Sequence, residues 1–444
     1  MMDTLSRLRE IVRARNARPL AAVPVRELTY EPVGDDGLAL ESPAAGPAFD
    51  GATTFATPFG PAMMVERTYD ADAPYGSHRI ESFDLVDPVA LAFLTGRAPS
   101  AFERISPGRP VFFDLETTGL AGGAGTVAFL VGCGYFERGA FVVKQFFLPA
   151  FAHERALLHA VGEFFEGVPL IVSYNGRAFD VPVMETRWLF HRMRHALEEV
   201  AHVDMLPPAR RLWKAAPDGS ERSCRLVALE DALFGVSRVG DVPGFEIPQR
   251  YFAYVRSGDA TPLEPVLHHN RLDLLSLAAV TARAQVLVRE GPAAAVDARE
   301  CLALGLLYER AGEGQRAEDA YRAAVRHIVG DRDGRDEALR RLGVLLRRTR
   351  RYEEAAGVWR ELLAGGYGRS SAAREAITAL AVHHEHRVRD LRQAQSFALR
   401  ALQAEPDPRR REELRYRLGR IERKLAQRAA AEPDGPHPSV PLLD

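Results

Sequence analysis

Residues 111–120 read VFFDLETTGL. The apolar triplet Val111-Phe112-Phe113 runs straight into Asp114-Leu115-Glu116 and constrains the fold more than any other stretch. A continuous apolar run, rather than alternation, marks a strand covered on both faces. Alternate side chains of a strand point the same way, so Asp114 and Glu116 project from one face at the strand's end, just before a turn at Gly119. Two carboxylates held side by side repel unless a cation sits between them. Oxygen-only donors favour magnesium or manganese. The bland alternative is a strand end with two solvated acids.

At 444 residues the chain exceeds one ordinary domain, and two or three are expected. A formal net charge of -2 means that nucleic-acid binding would need a local basic surface. Only Lys144, Lys214 and Lys424 are lysines; every other strongly basic residue is arginine. Arginine is the better bidentate phosphate ligand, although a compositional bias of the genome explains the excess more simply. Cys133, Cys224 and Cys301 form no CxxC and are expected as reduced thiols of a cytoplasmic protein. The opening MMDTLSRLREIVRAR lacks the apolar stretch of a secretory signal. No apolar run reaches the roughly 18 residues of a membrane span.

Four segments follow in order. Residues 1–105 read as an N-terminal appendage: a short amphipathic helix at 4–15, a Pro/Gly/Ala-rich linker, two short strands around a Gly-Pro turn in TTFATPFGPAMMVERTY, and a short helix at 87–96. Residues 106–290 begin with the acid-bearing strand and the glycine-rich AGGAGT, which lacks the ending of a phosphate-binding P-loop. A hairpin turning at ERG comes next. Helix and strand then alternate through PLIVSYNG, AFDVPVMETRWLFHRMRHAL and AHVDML to a final helix containing HHNRLDLLSL. This order builds a mixed five-stranded sheet with helices on its faces. Residues 291–428 carry no strand signal. There Leu-Gly at 304–305 and 342–343 and Leu-Ala at 380–381 recur every 38 residues, as do Tyr321, Trp359 and Phe397. That is a helical-hairpin repeat close to the tetratricopeptide type. The Pro-rich tail, 429–444, is expected to be disordered.

Two acids do not make a two-metal site, which needs about four carboxylates. Asp180 in SYNGRAFDVPVM follows a buried strand and stands at a helix start, where a helix N-cap is the structural alternative. Asp273 lies on a helix with His269 four residues before it, on the same face; a surface pair is the alternative there. A histidine titrates near neutrality and can take a proton from water. Asp204, at another strand end, reads as structural.

Taken in order, DLETTG, YNGRAFD and HNRLD resemble the three motifs of the DEDD superfamily of 3′–5′ exonucleases, which share the ribonuclease-H-like fold. In architecture the chain also resembles the YprB-like group, which joins such a domain to tetratricopeptide repeats. The resemblance implies that Asp114, Glu116, Asp180 and Asp273 hold two magnesium or manganese ions. One branch of the superfamily has a histidine five residues before the last aspartate, another a tyrosine four before it. His268 occupies the first spacing and His269 the second. Because His269-Asn270 aligns with Tyr-Asn, His269 is taken as general base and His268 as its alternative. Thr117, Thr118, Gly119, Asn175 and Arg177 are candidate substrate contacts, and the runs Arg187–Arg194 and Arg347–Arg351 could track a nucleic-acid backbone. The implied activity is two-metal hydrolysis of single-stranded DNA or RNA from the 3′ end. The alternative is a nucleic-acid-binding or scaffold protein with a silent nuclease fold and repeats that bind a protein partner.

Overall fold

The computed structural model describes residues 49–105, 109–119, 125–194, 196–214, 221–327, 332–365 and 370–431. The helix expected at 4–15, the linker to residue 48, most of the glycine-rich loop and the tail from 432 lie outside the described residues. The N-terminal part supplies β1 (Ala52–Thr57), β2 (Gly60–Tyr69), the small ribbon β3 (Pro74–Tyr75) and β4 (His78–Arg79), and α1 (Pro88–Thr95). Then come β5 (Val111–Thr117), β6 (Ala128–Glu137), β7 (Ala140–Phe147), α2 (Glu154–Phe165), β8 (Leu170–Ser173), α3 (Asp180–Phe190) and β9 (Ala201–Asp204). Helices α4 (Leu206–Trp213), α5 (Leu226–Phe234), α6 (Ile247–Ser257) and the long α7 (Glu264–Glu290) complete this part.

Among the described residues seven of the strands form one sheet, in the order β1-β2-β7-β6-β5-β8-β9, and β3 pairs only with β4. The five expected strands are its centre and one side. The segment expected to stand apart as an appendage supplies the other side, because Met63–Tyr69 of β2 pair antiparallel with Phe141–Phe147 of β7. β5 runs antiparallel to β6 and parallel to β8, so the sheet changes sense at the acid-bearing strand. The hairpin between β6 and β7 turns on two residues, Arg138 and Gly139, both with positive φ.

Alternation along β5 sorts its side chains. Val111, Phe113 and Leu115 enter an apolar core with α2 residues Leu157, Leu158 and Val161, while Phe112 enters another, on the opposite face, with α7 residues Leu274 and Leu277. Asp114 and Glu116 share the α7 side with Phe112. The helix expected through residue 197 ends at Phe190. Arg192 takes φ 56°, and bonds from Met193 N to Trp188 O (2.8 Å) and from Arg192 N to Leu189 O (3.0 Å) close its last turn.

Beyond α7 the described chain is helical: α8 (Ala298–Arg310), α9 (Gly314–Arg326), α10 (Arg332–Arg348), α11 (Tyr352–Ala364), α12 (Ser371–His383), α13 (Leu391–Ala404) and α14 (Pro408–Ala431). Within the sequence repeat, α8 packs on α9, α10 on α11 and α12 on α13. A Cβ on Gly305 would stand 2.3 Å from the Tyr321 ring, and one on Gly343 2.3 Å from Trp359 Nε1. The 38-residue step therefore records an aromatic ring laid against a bare helix backbone.

Candidate active site

β5 ends in a register shift between Glu116 and Thr117. Such irregularities re-aim side chains at sheet ends. Across the pair, Asp114 stands opposite Gly132. A Cβ on Gly132 would come within 2.2 Å of Asn270 Oδ1, so the glycine lets α7 settle onto the sheet. Asn270 then donates from Nδ2 to Asp114 Oδ2 at 2.8 Å and accepts from Gln145 Nε2 at 2.8 Å.

Asp180 is the first residue of α3 and is buried, but the N-cap is Phe179, with no side-chain cap. The N-cap reading of Asp180 therefore does not apply. Its loop is shaped by Asp204, whose carboxylate accepts from the backbone N–H of Asn175 (2.8 Å), Arg177 (3.2 Å) and Leu206 (3.0 Å). Asn175 takes φ 69°, a region that asparagine tolerates better than most residues. These bonds give Asp204 the structural role expected of it.

The four acids feel one another. Burial pushes the Asp114 carboxyl well above the usual range, Asp273 and Asp180 push it the same way, and His269 and Asn270 pull it part-way back. Glu116 is raised by burial and by Asp114, Asp273, Asp180 and Asp241. Asp180 is pushed up to about 7 by burial and by Asp204.

His269 and His268 part company here. His269 Nδ1 lies 2.7 Å from Asp241 Oδ1, and its Nε2 3.5 Å from Asp273 Oδ2. His268 is exposed. A carboxylate on one ring nitrogen leaves the other facing Asp273 and holds the ring's orientation. Neither Asp241 nor its neighbour Arg238 stood out in the sequence. Arg238 is buried among acids: its guanidinium meets Glu230 (2.6 Å), Asp241 (3.2 Å), Asp273 Oδ1 (2.7 Å) and Ser276 Oγ (2.9 Å). The Tyr75 hydroxyl donates to Glu230, so the N-terminal segment reaches the support of the site.

Thr117 Oγ1 donates to Gly119 O at 2.8 Å, and Thr118 Oγ1 accepts from Val127 N at 3.0 Å, so both hydroxyls serve the turn. Asn175 and Arg177 are exposed beside the Asp180 loop. The two arginine runs are largely spent on carboxylates. Arg187 is buried against Glu154, Arg194 meets Glu199, Arg348 meets Glu309, and Arg351 meets Glu318 and Glu354.

Divalent ions fit this donor set by charge. Four mutually repelling carboxylates carry only oxygen donors, and Arg238 offsets one of them, Asp273. Among the described residues no three His, Cys, Asp or Glu side chains stand close enough to enclose an ion as they are, so ligation requires side-chain adjustment.

Residues 111–285 match the model of the RNase_H superfamily. Over 320 residues the chain is 32% identical to the uncharacterized protein YprB of Bacillus subtilis (strain 168), covering 71% of this chain and 75% of that protein. The chain belongs to the YprB family. The aligned length exceeds the nuclease-like part, so the resemblance to YprB extends beyond that part. Two solved structures are loosely similar. The crystal structure of BtubC (BKLC) from P. vanneervenii is 20% identical over 44% of this chain and 92% of its own, with a TM-score of 0.26. The family B DNA polymerase from the archaeon Pyrobaculum calidifontis is 17% identical over 46% of this chain and 29% of its own, with a TM-score of 0.32. Neither likeness is close enough to transfer a residue role to this YprB-family chain. No helix among its described residues is long and apolar enough to cross a membrane.

Proposed function

We propose that this YprB-family protein is a metal-dependent 3′–5′ exonuclease acting on single-stranded nucleic acid. The observation that carries the reading is the convergence of Asp114, Glu116, Asp180 and Asp273 beside His269, from one strand and two helices separated in sequence. Asp114, Glu116, Asp180 and Asp273 would hold two magnesium or manganese ions. Such ions, when bound, supply acidification of a water and stabilisation of the leaving oxyanion. His269 accepts the proton of the attacking water at Nε2, with Asp241 fixing the ring through Nδ1. Asn270 holds the Asp114 carboxylate in place. Thr117, Gly119, Asn175 and Arg177 are the contacts assigned to a terminal nucleotide. The helical region is read as tetratricopeptide-like, with a concave face for a protein partner.

The test is incubation of 5′-labelled single-stranded DNA and RNA with manganese. The expected product is a ladder shortening from the 3′ end, abolished by Asp114→Asn in a protein that stays folded. Equal degradation by both proteins, or none by either, overturns the reading. One observation favours the silent alternative: Arg238 already occupies Asp273. Oligonucleotide binding without cleavage in manganese would decide for it.

A further inference from the structure

Most arginines with a close partner in this chain meet a carboxylate, and a guanidinium so neutralised has little left for an external anion. Some exposed arginines differ, and four of them lie near one another or near the acids. Among the described residues, Arg97, Arg177, Arg211 and Arg310 have no carboxylate within ion-pair distance, and two of them are pinned by neutral oxygens instead. Arg177 Nη2 donates to His202 O at 3.1 Å, and Arg211 Nη1 to Leu94 O at 2.8 Å. A backbone carbonyl orients a guanidinium without cancelling its charge.

Three of the four line one cleft of about 460 Å³. Arg97 comes from the end of α1, Arg211 from α4 and Arg310 from the last turn of α8, with Phe93 on the wall and Glu313 as the one acid. Arg177 belongs to the loop that carries Asp180, and it grips β9 at His202, two residues before Asp204. Burial and then Arg177 push the His202 imidazole down to about 4, and Arg97 adds to the effect, so both cations are near that strand. Arg211 is pulled down by burial and by Arg310. Three guanidinium groups gathered around a single acid carry an excess of like charge, a standing cost that a bound anion relieves.

We infer that the cleft between α1 and α8 binds the backbone phosphates of a single nucleic-acid strand, continuing past Arg177 from the acid cluster where that strand ends. The guanidinium fork matches phosphate oxygens, and arginines converging from three elements on a cleft of this size suit one backbone rather than a duplex. The direction of the strand rests on the exonuclease reading; the charge of the cleft does not. Phosphates are common to DNA and RNA, and the probe decides between them.

The experiment uses the full chain without divalent metal. Fluorescence anisotropy is read with 5′-labelled single-stranded DNA, and separately RNA, of about 15 nucleotides over a series of salt concentrations. Arg97→Gln, Arg310→Gln and their double variant replace exposed side chains, and circular dichroism checks their fold. Each single change is expected to weaken binding up to roughly fivefold and to flatten the salt slope by about 0.7. Manganese-dependent hydrolysis of a dinucleotide, too short to reach the cleft, stays at the wild-type rate. Wild-type affinity in the folded double variant overturns the inference, even if cleavage by the wild type upholds the nuclease. A labelled polyglutamate peptide bound as tightly as the oligonucleotides overturns the assignment to nucleic acid. Oligonucleotide binding that the variants weaken, without any cleavage, leaves the cleft standing and removes the nuclease reading.

Discussion

Asp180 carries the most direct electrostatic consequence. Its folded carboxyl titrates at about 7, while an unfolded aspartate titrates near 4. Between those values the folded chain holds a proton that the unfolded chain has released, so stability falls as pH rises through that window. Without metal, the melting temperature should be lower at about pH 7.5 than at about pH 5.5. Asp180→Asn should remove that residue's share of the decline, on the order of a few kcal/mol at the upper end, and leave the shares of Asp114 and Glu116. Manganese should raise the wild-type melting temperature and leave the variant nearly unmoved. A flat profile with no response to manganese would count against a cation site. Asp241 yields a second outcome. It touches the His269 ring rather than the space between the acids, so Asp241→Asn should lower kcat by roughly 10- to 100-fold with little change in KM, as losses of orienting partners do.

Among the elements, β5 and α7 were the most legible. An apolar run ending in Asp-Leu-Glu reads as a strand with both acids on one face, and His269 and Asp273 read as neighbours from helical spacing. Both relations are local. What stayed hidden depends on contacts between distant segments. Asp241 and Arg238 sit on the irregular stretch between α5 and α6, where no period marks which side chains turn inward. The pairing of β2 with β7 joins residues about 80 positions apart, and alternation alone does not name a strand's partner. The glycine at 132 likewise gains its meaning only from Asn270 on α7. Gly132→Ala should force that helix off the sheet, costing about 1–3 kcal/mol as overpacking does. It should also strip Asp114 of its Asn270 bond. Denaturant unfolding measures the first effect and oligonucleotide hydrolysis the second. Loss of activity at unchanged stability would place the fault in the bond alone.

At the scale of the molecule, the described residues from Phe49 to Ala431 belong to one compact unit. The apolar core on the α7 face of the sheet runs without a break from Phe112 and Val172 through Leu274 and Leu287 to Leu304, Tyr308, Tyr321 and Leu346. The helical region therefore shares its interior with the sheet rather than hanging from a linker, which keeps the α1–α8 cleft at a constant distance from the acids. A buried carboxylate fastens the junction. Glu300 on α8 accepts from Trp213 Nε1 of α4 (2.8 Å), from Arg283 Nη2 of α7 (2.8 Å) and from Val296 N (2.9 Å). Removing one member of a buried pair leaves the other charge uncompensated, at a cost of about 3–5 kcal/mol. Full-length protein should then unfold in a single calorimetric transition, and Glu300→Ala should move that whole transition to lower temperature. Two resolved transitions, with only one displaced by the substitution, would mean that the sheet and the helices fold as separate bodies.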